Sequence, residues 1–271
     1  KIKLKKIQNI IIWNRNLRFK IPIKFEKNVV GKVVKDIKRF SKYLIIHFTD
    51  YTLFVIHLGM SGTIHLVEKN NKNLNTNTSF YSSQILPKKH NHIELYFDKV
   101  KMIYNDPRRF GFFKFFHNEE ELYKFFKNYG PEPFSQLFNL KYVFNFFKNK
   151  NKNIKSFLLD QNFVSGIGNI YANEILYLCK IKPTKKAKSL SKENCRKIIY
   201  FSKYVLRNSI KKGGSSIKDF RNTLGYKGKF QKEFRVYQRE NLDCDMKGCI
   251  GIIKKKIISN RSTFFCSVCQ K

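Results

Sequence analysis

The chain has 271 residues, of which 42% are hydrophobic, and 55 lysines and arginines against 19 acidic residues give a formal net charge of +36. This hydrophobic fraction excludes a largely disordered chain, and the length favours two medium-sized domains over one large one. No apolar run reaches the ~18 residues of a membrane-spanning helix, and the run Ile10–Trp13 is too short for a signal peptide. The composition therefore predicts a soluble intracellular protein.

The positive charge has two interpretations. A charge of +36 attracts polyanions, of which nucleic acid is the commonest inside cells. The basic residues are, however, 44 lysines and only 11 arginines, in a chain that is also rich in Asn, Ile, Phe and Tyr, whose codons are AT-rich. Drift of a genome towards AT would add surface lysines that bind nothing. The arginines are therefore the more informative basic residues.

Residues 1–117 are predicted to form a β domain. Short stretches of alternating apolar and polar residues predict strands within residues 1–58, as at Tyr43–Phe48. Residues 68–84 are polar and rich in Asn, and they predict a surface loop. Strand patterns return in three later segments: His92–Phe97, Lys101–Tyr104 and Phe112–Phe116.

Residues 118–225 are predicted to form a helical domain, and residues 226–271 a short, turn-rich third region. The clearest helix is Ser191–Lys212, with Ser191 as its N-cap, Glu193 in its first turn and two lysines in its last turn, before Gly213 and Gly214. Four shorter helical patterns precede it: Glu119–Asn128, which ends before Gly130-Pro131, Lys141–Lys148, Ile154–Asp160 and Tyr171–Cys179.

Four of the six cysteines crowd into the third region. They form two close pairs, Cys244 with Cys249 and Cys266 with Cys269, separated by a spacer of hairpin length. Two such pairs on tight turns suit one tetrahedral zinc ion with a structural role, since four thiolates leave no position for water. A pair of disulfides is the alternative, and it needs an oxidising compartment. Cys179 and Cys195 lie in helical patterns and are predicted to be buried apolar residues.

Two loops combine features suited to contact with DNA. Asp106-Pro107-Arg108-Arg109-Phe110-Gly111 places two of the eleven arginines beside an aromatic residue, in a turn between two strands. Such residues can enter a duplex, with the arginine towards base edges or phosphate and the phenylalanine as a stacking wedge. His57-Leu58-Gly59-Met60-Ser61-Gly62 is a second loop, bounded by glycine, that exposes a methionine. Either loop alone is more typical of a structural turn.

A glycine turn opens the helical pattern at Ser165-Gly166-Ile167-Gly168-Asn169. Free backbone N–H groups and an asparagine amide at a helix start can bind a phosphate without a charged side chain. An ordinary turn between helices is an equally good interpretation of these residues alone.

Taken together and in this order, the motifs resemble the formamidopyrimidine-DNA glycosylase/endonuclease VIII family, whose members excise oxidised bases from DNA. The similarity covers nearly the whole chain, and its Met/Arg/Phe set favours the branch that removes oxidised purines. The matching segments are Arg39–Leu44, His57–Gly62, Lys89–His92, Asp106–Gly111, Gly130–Pro133, Ile154–Glu174, Gly213–Phe220 and Arg261–Cys269.

The resemblance implies an α+β multidomain fold with an N-terminal β-sandwich, a helix–two-turn–helix DNA-binding domain and a C-terminal four-cysteine zinc-finger β-hairpin. It implies a bifunctional glycosylase and AP lyase that removes 8-oxoguanine and formamidopyrimidines and nicks the strand by β,δ-elimination. The expected partner is double-stranded DNA with an oxidised purine or an abasic site, and the expected cofactor is one structural Zn²⁺. A monomer in the bacterial cytoplasm, associated with the nucleoid, is expected.

The same resemblance assigns roles to individual residues. Lys42 resembles the lysine that assists β-elimination, and Arg261 resembles the arginine that grips the flanking phosphates and is linked to δ-elimination. Three residues resemble those that fill the gap left by the everted base, with Arg108 facing the orphaned cytosine: Met60, Arg108 and Phe110. Four match phosphate contacts: His90, Lys150, Lys155 and Asn169. The metal ligands are Cys244, Cys249, Cys266 and Cys269, and Glu174 matches an acidic position.

Some of these residues have simpler interpretations. His90 and His92, two residues apart on a predicted strand, could instead bind a metal, although a third ligand is missing. Lys150 lies in a run of lysines that drift alone could produce.

The family's nucleophile is an N-terminal proline followed by an essential glutamate. The sequence begins Lys1-Ile2-Lys3, and Lys1 aligns about one helix inside the family pattern. We expect a fragment of an active enzyme rather than the product of a degraded gene, because the other motifs are intact. A catalytically inactive module that binds lesion or abasic DNA is the alternative function, and an RNA-associated zinc-ribbon protein is a more distant one.

Overall fold

The computed structural model describes residues 1–68, 75–76, 88–215 and 230–271. The predicted loop at 68–84 and the loop 215–232, which the resemblance places over the everted base, lie for the most part outside the described residues. Within the described ranges, no helix has both the length and the apolar character needed to cross a membrane. The described residues form two compact units, one built from residues 1–127 with 213–215 and the other from residues 128–212 with 230–271.

The first unit is a sandwich of two antiparallel sheets. Its strands are β1 (Asn9–Ile12), β2 (Val34–Phe40), β3 (Tyr43–Phe48), β4 (Leu53–His57), β5 (Thr63–Glu68), β6 (Asn75–Thr76), β7 (Asn91–Tyr96), β8 (Val100–Asn105) and β9 (Phe112–Phe116), with a short helix α1 (Phe25–Val29) before β2. One sheet has the strand order β1-β7-β8-β5-β6 and the other β2-β3-β4-β9.

Alternation along the strands explains the core of the sandwich. Successive side chains of a strand point to opposite faces, so one apolar set from each sheet faces the other sheet. Ile46, Phe48 and Phe54 from the second sheet pack in one cluster with Ile93 and Leu95 from the first. This packing confirms the predicted β-sandwich.

Helix α2 (Glu119–Phe126) belongs to the first unit. Leu122 of this helix packs with Ile45, Leu53, Val55 and Phe116, which lie on the other face of the second sheet. Both faces of this sheet are therefore covered. The packing extends the first compact unit to Lys127, beyond the domain end predicted at residue 117.

The second unit combines four helices with a β-hairpin. The helices are α3 (Leu140–Phe147), α4 (Ile154–Leu159), α5 (Asn169–Leu178) and α6 (Lys192–Lys211), and the hairpin is β10 (Ile253–Ile258) with β11 (Arg261–Cys266). The predicted N-cap is confirmed: the Ser191 hydroxyl accepts from the Asn194 backbone N–H, and the Asn194 side chain accepts from the Ser191 backbone N–H. The hairpin belongs to the same compact unit as the helices, not to a separate third region.

Candidate nucleic-acid interface and metal centre

One buried carboxylate joins two loops of the first unit, residues 57–62 and 106–111. Asp106 is fully buried at the end of β8. Its Oδ1 accepts a hydrogen bond from the Ser61 hydroxyl of the first loop, and its Oδ2 accepts one from the Gly111 backbone N–H of the second, at 2.9 Å. A charged acceptor shared by both loops fixes the position of each relative to the other.

The same carboxylate receives two more donors. The Arg108 backbone N–H lies 3.3 Å from Oδ1, and the Tyr104 hydroxyl donates to Oδ2 at 2.8 Å. Burial and the adjacent Asp106 charge raise the pKa of Tyr104, so its hydroxyl stays protonated and keeps donating. Each carboxylate oxygen therefore has two donors, which compensates for the burial of the charge.

Two glycines allow the loops to approach each other. Gly59 has a φ of +65°, and a Cβ there would lie 2.6 Å from the backbone carbon of Phe110. A Cβ at Gly111 would lie 1.9 Å from the Tyr104 hydroxyl. Any side chain at either position would therefore push the loops apart.

The side chains at the loop tips face solvent. Met60 is 66% exposed and Phe110 is 44% exposed, although both are apolar. Arg108 is also exposed, with its guanidinium carbon 4.5 Å from the centre of the Phe110 ring. The structure thus brings the three predicted gap-filling residues together on one pair of coupled loops.

Lys42 lies in the tight turn between β2 and β3 and is exposed. His57 ends β4, and its Nδ1 accepts from the Gly59 backbone N–H at 3.1 Å. Burial, together with the positive charges of Arg18 and Lys42, lowers the pKa of His57 to about 4. His57 is therefore neutral at pH 7 and acts as an acceptor at the start of the Met60 loop, within the electrostatic range of Lys42.

Two residues at this site had no assigned role in the sequence. The Arg18 backbone N–H donates to the Gly111 carbonyl at 3.1 Å, and the Arg18 guanidinium lies 5.6 Å from the Phe19 ring. Arg18 is one of only eleven arginines, and this rarity is the sequence feature that could have marked it as a candidate site residue. Asp106 begins one of the two loops predicted to contact DNA, but no spacing rule indicates that its carboxylate reaches Ser61, 45 residues away.

The two histidines at 90 and 92 do not share a strand face. His90 ends a short 3₁₀ turn, whereas His92 lies in β7 and is buried. His92 Nε2 is hydrogen-bonded to the Asp106 carbonyl at 2.7 Å, and the His90 carbonyl accepts from the Asp106 backbone N–H. In the part of the chain that the structure describes, the cysteine cluster is the only group of three or more residues placed to hold a metal, and no third ligand joins these two histidines there.

In the second unit, side chains from α4 and α5 hold the strand that begins with Arg261. Arg261 is exposed at the start of β11. The next residue, Ser262, offers its carbonyl to Asn169 Nδ2 at 3.0 Å, and the Phe264 backbone N–H donates to Asn173 Oδ1 at 2.8 Å. The position of Arg261 therefore depends on residues of α5.

Lys155 takes part in the same contact. Its side chain is fully buried, and its ammonium donates to the Ser262 carbonyl at 3.1 Å and to the Thr263 hydroxyl at 2.6 Å. Burial, together with the nearby charge of Arg261, lowers the pKa of Lys155 from its usual 10.5 to about 8. The structure does not present Lys155 to solvent, where a phosphate would contact it, and its observed partners are all in the hairpin.

The remaining predicted contacts of this unit differ in exposure. Lys150 is exposed after α3, with its ammonium 5.7 Å from the Phe146 ring. Asn169 is half-buried at the first turn of α5. Glu174 is buried and accepts from three consecutive backbone N–H groups, those of Arg235, Val236 and Tyr237, at 2.9–3.1 Å. The acidic position thus anchors the segment that leads to the hairpin.

The four clustered cysteines form one group. Their sulfur atoms all lie within 4.8 Å of one another, with 3.7 Å between Cys244 and Cys269 and 3.6 Å between Cys249 and Cys266. A disulfide requires sulfurs about 2.05 Å apart, so these cysteines are not paired covalently. Zn–S bonds of about 2.3 Å in a tetrahedron place sulfurs roughly 3.8 Å apart, and the observed distances match. The cluster can bind a metal ion.

The carboxylate network of Asp106 generates a stability prediction. In Asp106→Asn, an amide N–H at the Oδ2 position would face the Gly111 backbone N–H, which cannot accept a hydrogen bond. Leaving such a donor unpaired in the interior costs roughly 1–3 kcal/mol. We expect the free energy of unfolding, measured by urea denaturation, to fall by this amount. Asp98→Asn, at an exposed turn, is the matched control; equal stability of the two variants would contradict the role of Asp106.

Lys155 generates a prediction about pH. Its pKa is about 8 in the folded chain and near 10.5 when unfolded, so between these values the unfolded chain binds more protons. The stability of the wild type relative to Lys155→Met should therefore rise from pH 8 to pH 10.5. Urea denaturation of both proteins across this range measures the difference, and Lys150→Met controls for the general loss of one lysine. Parallel curves for the wild type and Lys155→Met would rule out the shift.

Comparisons with known proteins agree with this geometry. Residues 1–113 match the family model "Formamidopyrimidine-DNA glycosylase N-terminal domain", and residues 129–221 match the "Formamidopyrimidine-DNA glycosylase H2TH domain". The chain is 38% identical over 271 residues to a formamidopyrimidine-DNA glycosylase of Wolbachia pipientis subsp. Culex pipiens, covering 100% of this chain and 94% of the relative. It is 36% identical over 272 residues to one of Hydrogenovibrio crunogenus, covering 100% and 91%.

Solved structures give the same result. A complex of Lactococcus lactis Fpg with DNA containing an abasic site superposes with a TM-score of 0.85 at 31% identity, covering 100% of this chain and 94% of the other. A complex of the Lactococcus lactis protein with DNA containing Fapy-dG gives the same TM-score, identity and coverages. With this identity over its full length and both domain models matched, the chain belongs to the formamidopyrimidine-DNA glycosylase family.

Proposed function

We propose that this chain acts in base-excision repair as a DNA glycosylase and AP lyase. Its substrates are duplexes that contain an oxidised purine, 8-oxoguanine or a formamidopyrimidine, and it nicks the strand by β,δ-elimination. One observation carries the proposal: the exposed side chains of Met60, Arg108 and Phe110 are carried on two loops that the buried Asp106 carboxylate holds together.

The physical requirement for such chemistry is access to a base that is stacked inside a duplex. Taking a base out of the stack costs a few kcal/mol, and side chains that occupy the gap offset part of that cost. An exposed methionine and phenylalanine would be unfavourable surface residues without such a partner. Arg108 supplies donors in a fixed geometry suited to the unpaired base opposite the lesion.

We base the proposed roles of the other site residues on their exposure and contacts. Lys42, exposed in its turn, assists β-elimination, and Arg261, exposed at the start of β11, grips the flanking phosphates. His90, Lys150 and Asn169 contact phosphates, while Lys155 supports them by holding the hairpin. We propose that the first unit supplies the catalytic β domain, that the helices of the second unit bind DNA and that the hairpin segment of the second unit holds the metal. The protein acts as a monomer in the bacterial cytoplasm, on the nucleoid.

We propose zinc as the metal of the cysteine cluster. The donor set of four thiolates, Cys244, Cys249, Cys266 and Cys269, is the one that structural zinc sites use, and it leaves no open position for a reacting water. Bound zinc would supply folding energy to a hairpin that has only two strands. The Tyr177 hydroxyl lies 3.2 Å from Cys244 Sγ and would orient that ligand.

The activity is tested on a duplex with 8-oxoguanine opposite cytosine, using protein expressed from its own start codon. We expect base release and strand nicking. Arg108→Ala should lower kcat/KM on this duplex by about tenfold, because one side-chain contact to a base is worth roughly 1–3 kcal/mol. The loss should be smaller when adenine is opposite the lesion, since Arg108 then lacks its preferred partner.

Arg109→Ala is the matched control, because Arg109 is an exposed neighbour in the same loop. It should affect both duplexes equally. Binding to a duplex with a tetrahydrofuran abasic analogue separates recognition from chemistry: tight binding without nicking would identify a non-catalytic module. If Arg108→Ala and Arg109→Ala behave alike on both duplexes, the proposed contact with the opposite base is wrong.

The metal proposal predicts one zinc ion per chain by mass spectrometry of the purified protein. Chelation at neutral pH should abolish amide protection in β10 and β11 and weaken binding to the abasic-analogue duplex at least tenfold, because Arg261 loses its support. Protection in the first unit should stay unchanged. Recovery of binding with Zn²⁺ but not with Mg²⁺ is expected, and unchanged protection of the hairpin after complete removal of zinc would refute the structural role.

A further inference from the structure

The solvent-facing side of α6 carries two stacked tyrosines. Tyr200 is 62% exposed and Tyr204 is 44% exposed, and their ring centres are 6.3 Å apart with planes inclined by 15°. The spacing of four residues places both rings on one side of the helix. None of the residues proposed to contact the damaged duplex, to bind the metal or to take part in catalysis lies on α6.

Positive charge surrounds these rings. Arg196 and Lys197 precede them, Lys203 lies between them, and Arg207 and Lys211 follow. The sole acidic residue of the helix is Glu193 in its first turn, which lies 3.8 Å from Arg196 and 3.5 Å from Lys197. Within the described ranges, Lys203, Arg207 and Lys211 take part in no ion pair. The face from Arg196 to Lys211 is therefore basic, and Glu193 offsets charge only at its N-terminal end.

Aromatic surface continues beside the helix. The Arg207 guanidinium carbon lies 5.7 Å from the centre of the Phe134 ring, which is itself exposed. An exposed arrangement of tyrosines, a phenylalanine and an arginine is richer in stacking surface than solubility alone requires. Stabilisation of the helix by an aromatic pair four residues apart would explain the contact between the two tyrosines, but not the basic residues around them.

We propose that this α6 face, formed by Arg196, Tyr200, Lys203, Tyr204, Arg207 and Lys211, binds single-stranded nucleic acid. Aromatic rings with free faces stack on unpaired bases, and the flanking cations neutralise the phosphodiester backbone. A duplex hides its bases within the stack, so it would engage only the cations. The proposal is independent of the proposed repair activity, because it uses none of the same residues.

The test uses the whole chain and fluorescein-labelled oligonucleotides, (dT)12 and (rU)12, at 50 mM and 200 mM salt. The Tyr200→Ala/Tyr204→Ala double variant should bind both at least tenfold more weakly, since stacking on one aromatic residue is worth roughly tenfold. The control is Tyr123→Ala on α2, where the tyrosine is 73% exposed in the first unit. It should bind within twofold of the wild type. All three tyrosines are exposed, and unchanged thermal unfolding confirms that each variant is folded.

Competition defines the location of the site. A saturating abasic-analogue duplex should displace (dT)12 by less than twofold at 200 mM salt, and the double variant should keep wild-type affinity for that duplex. Unequal binding of (dT)12 and (rU)12 identifies the strand that is preferred. The proposal is overturned if (dT)12 and (rU)12 bind the double variant as well as the wild type, if Tyr123→Ala is equally weakened, or if the duplex displaces (dT)12 completely.

Discussion

The carboxylate of Asp106 is the interaction on which the DNA-facing side of the first unit depends. It is fully buried and receives four hydrogen bonds, from Ser61, Tyr104 and the backbones of Arg108 and Gly111. A buried charge is tolerated only when its hydrogen-bonding capacity is used, so this arrangement allows few alternative loop geometries. Exposed side chains such as Phe110 thereby gain a defined position although they lie outside the hydrophobic core.

The second unit holds its exposed arginine in place by a different set of contacts. Arg261 is also exposed, but its strand is held by side chains that reach out from helices: Lys155 and Asn169 to the Ser262 carbonyl, and Asn173 to the Phe264 backbone N–H. These bonds occupy backbone groups on the side of β11 away from its single partner strand β10. A two-stranded hairpin is marginal alone, so such links and the cysteine cluster provide what a sheet would otherwise provide.

Sequence patterns predicted the elements well and the polar network poorly. The strand Phe112–Phe116 and the capped helix at Ser191 depend on local periodicity and capping, which neighbouring residues determine. The role of Asp106 depends on Ser61, 45 residues away, and that of Lys155 on Thr263, 108 residues away. The motif match assigned Lys155 to a phosphate contact, which requires an exposed ammonium. Only the fold shows that its ammonium has acceptors inside.

The cations behind the net charge of +36 differ in whether they form ion pairs within the protein. Several arginines are occupied within the protein, as Arg15 is by Glu26 and Arg239 by Asp245. Arg108, Arg109 and Arg261 are exposed and, in the part of the chain that the structure describes, form no ion pair. A cation with no internal partner stays hydrated in the free protein. It can bind a phosphate or a base without first breaking an internal ion pair. Specificity in this chain therefore lies in the few cations that buried polar groups hold in place, while most lysines contribute only a uniform attraction for polyanions.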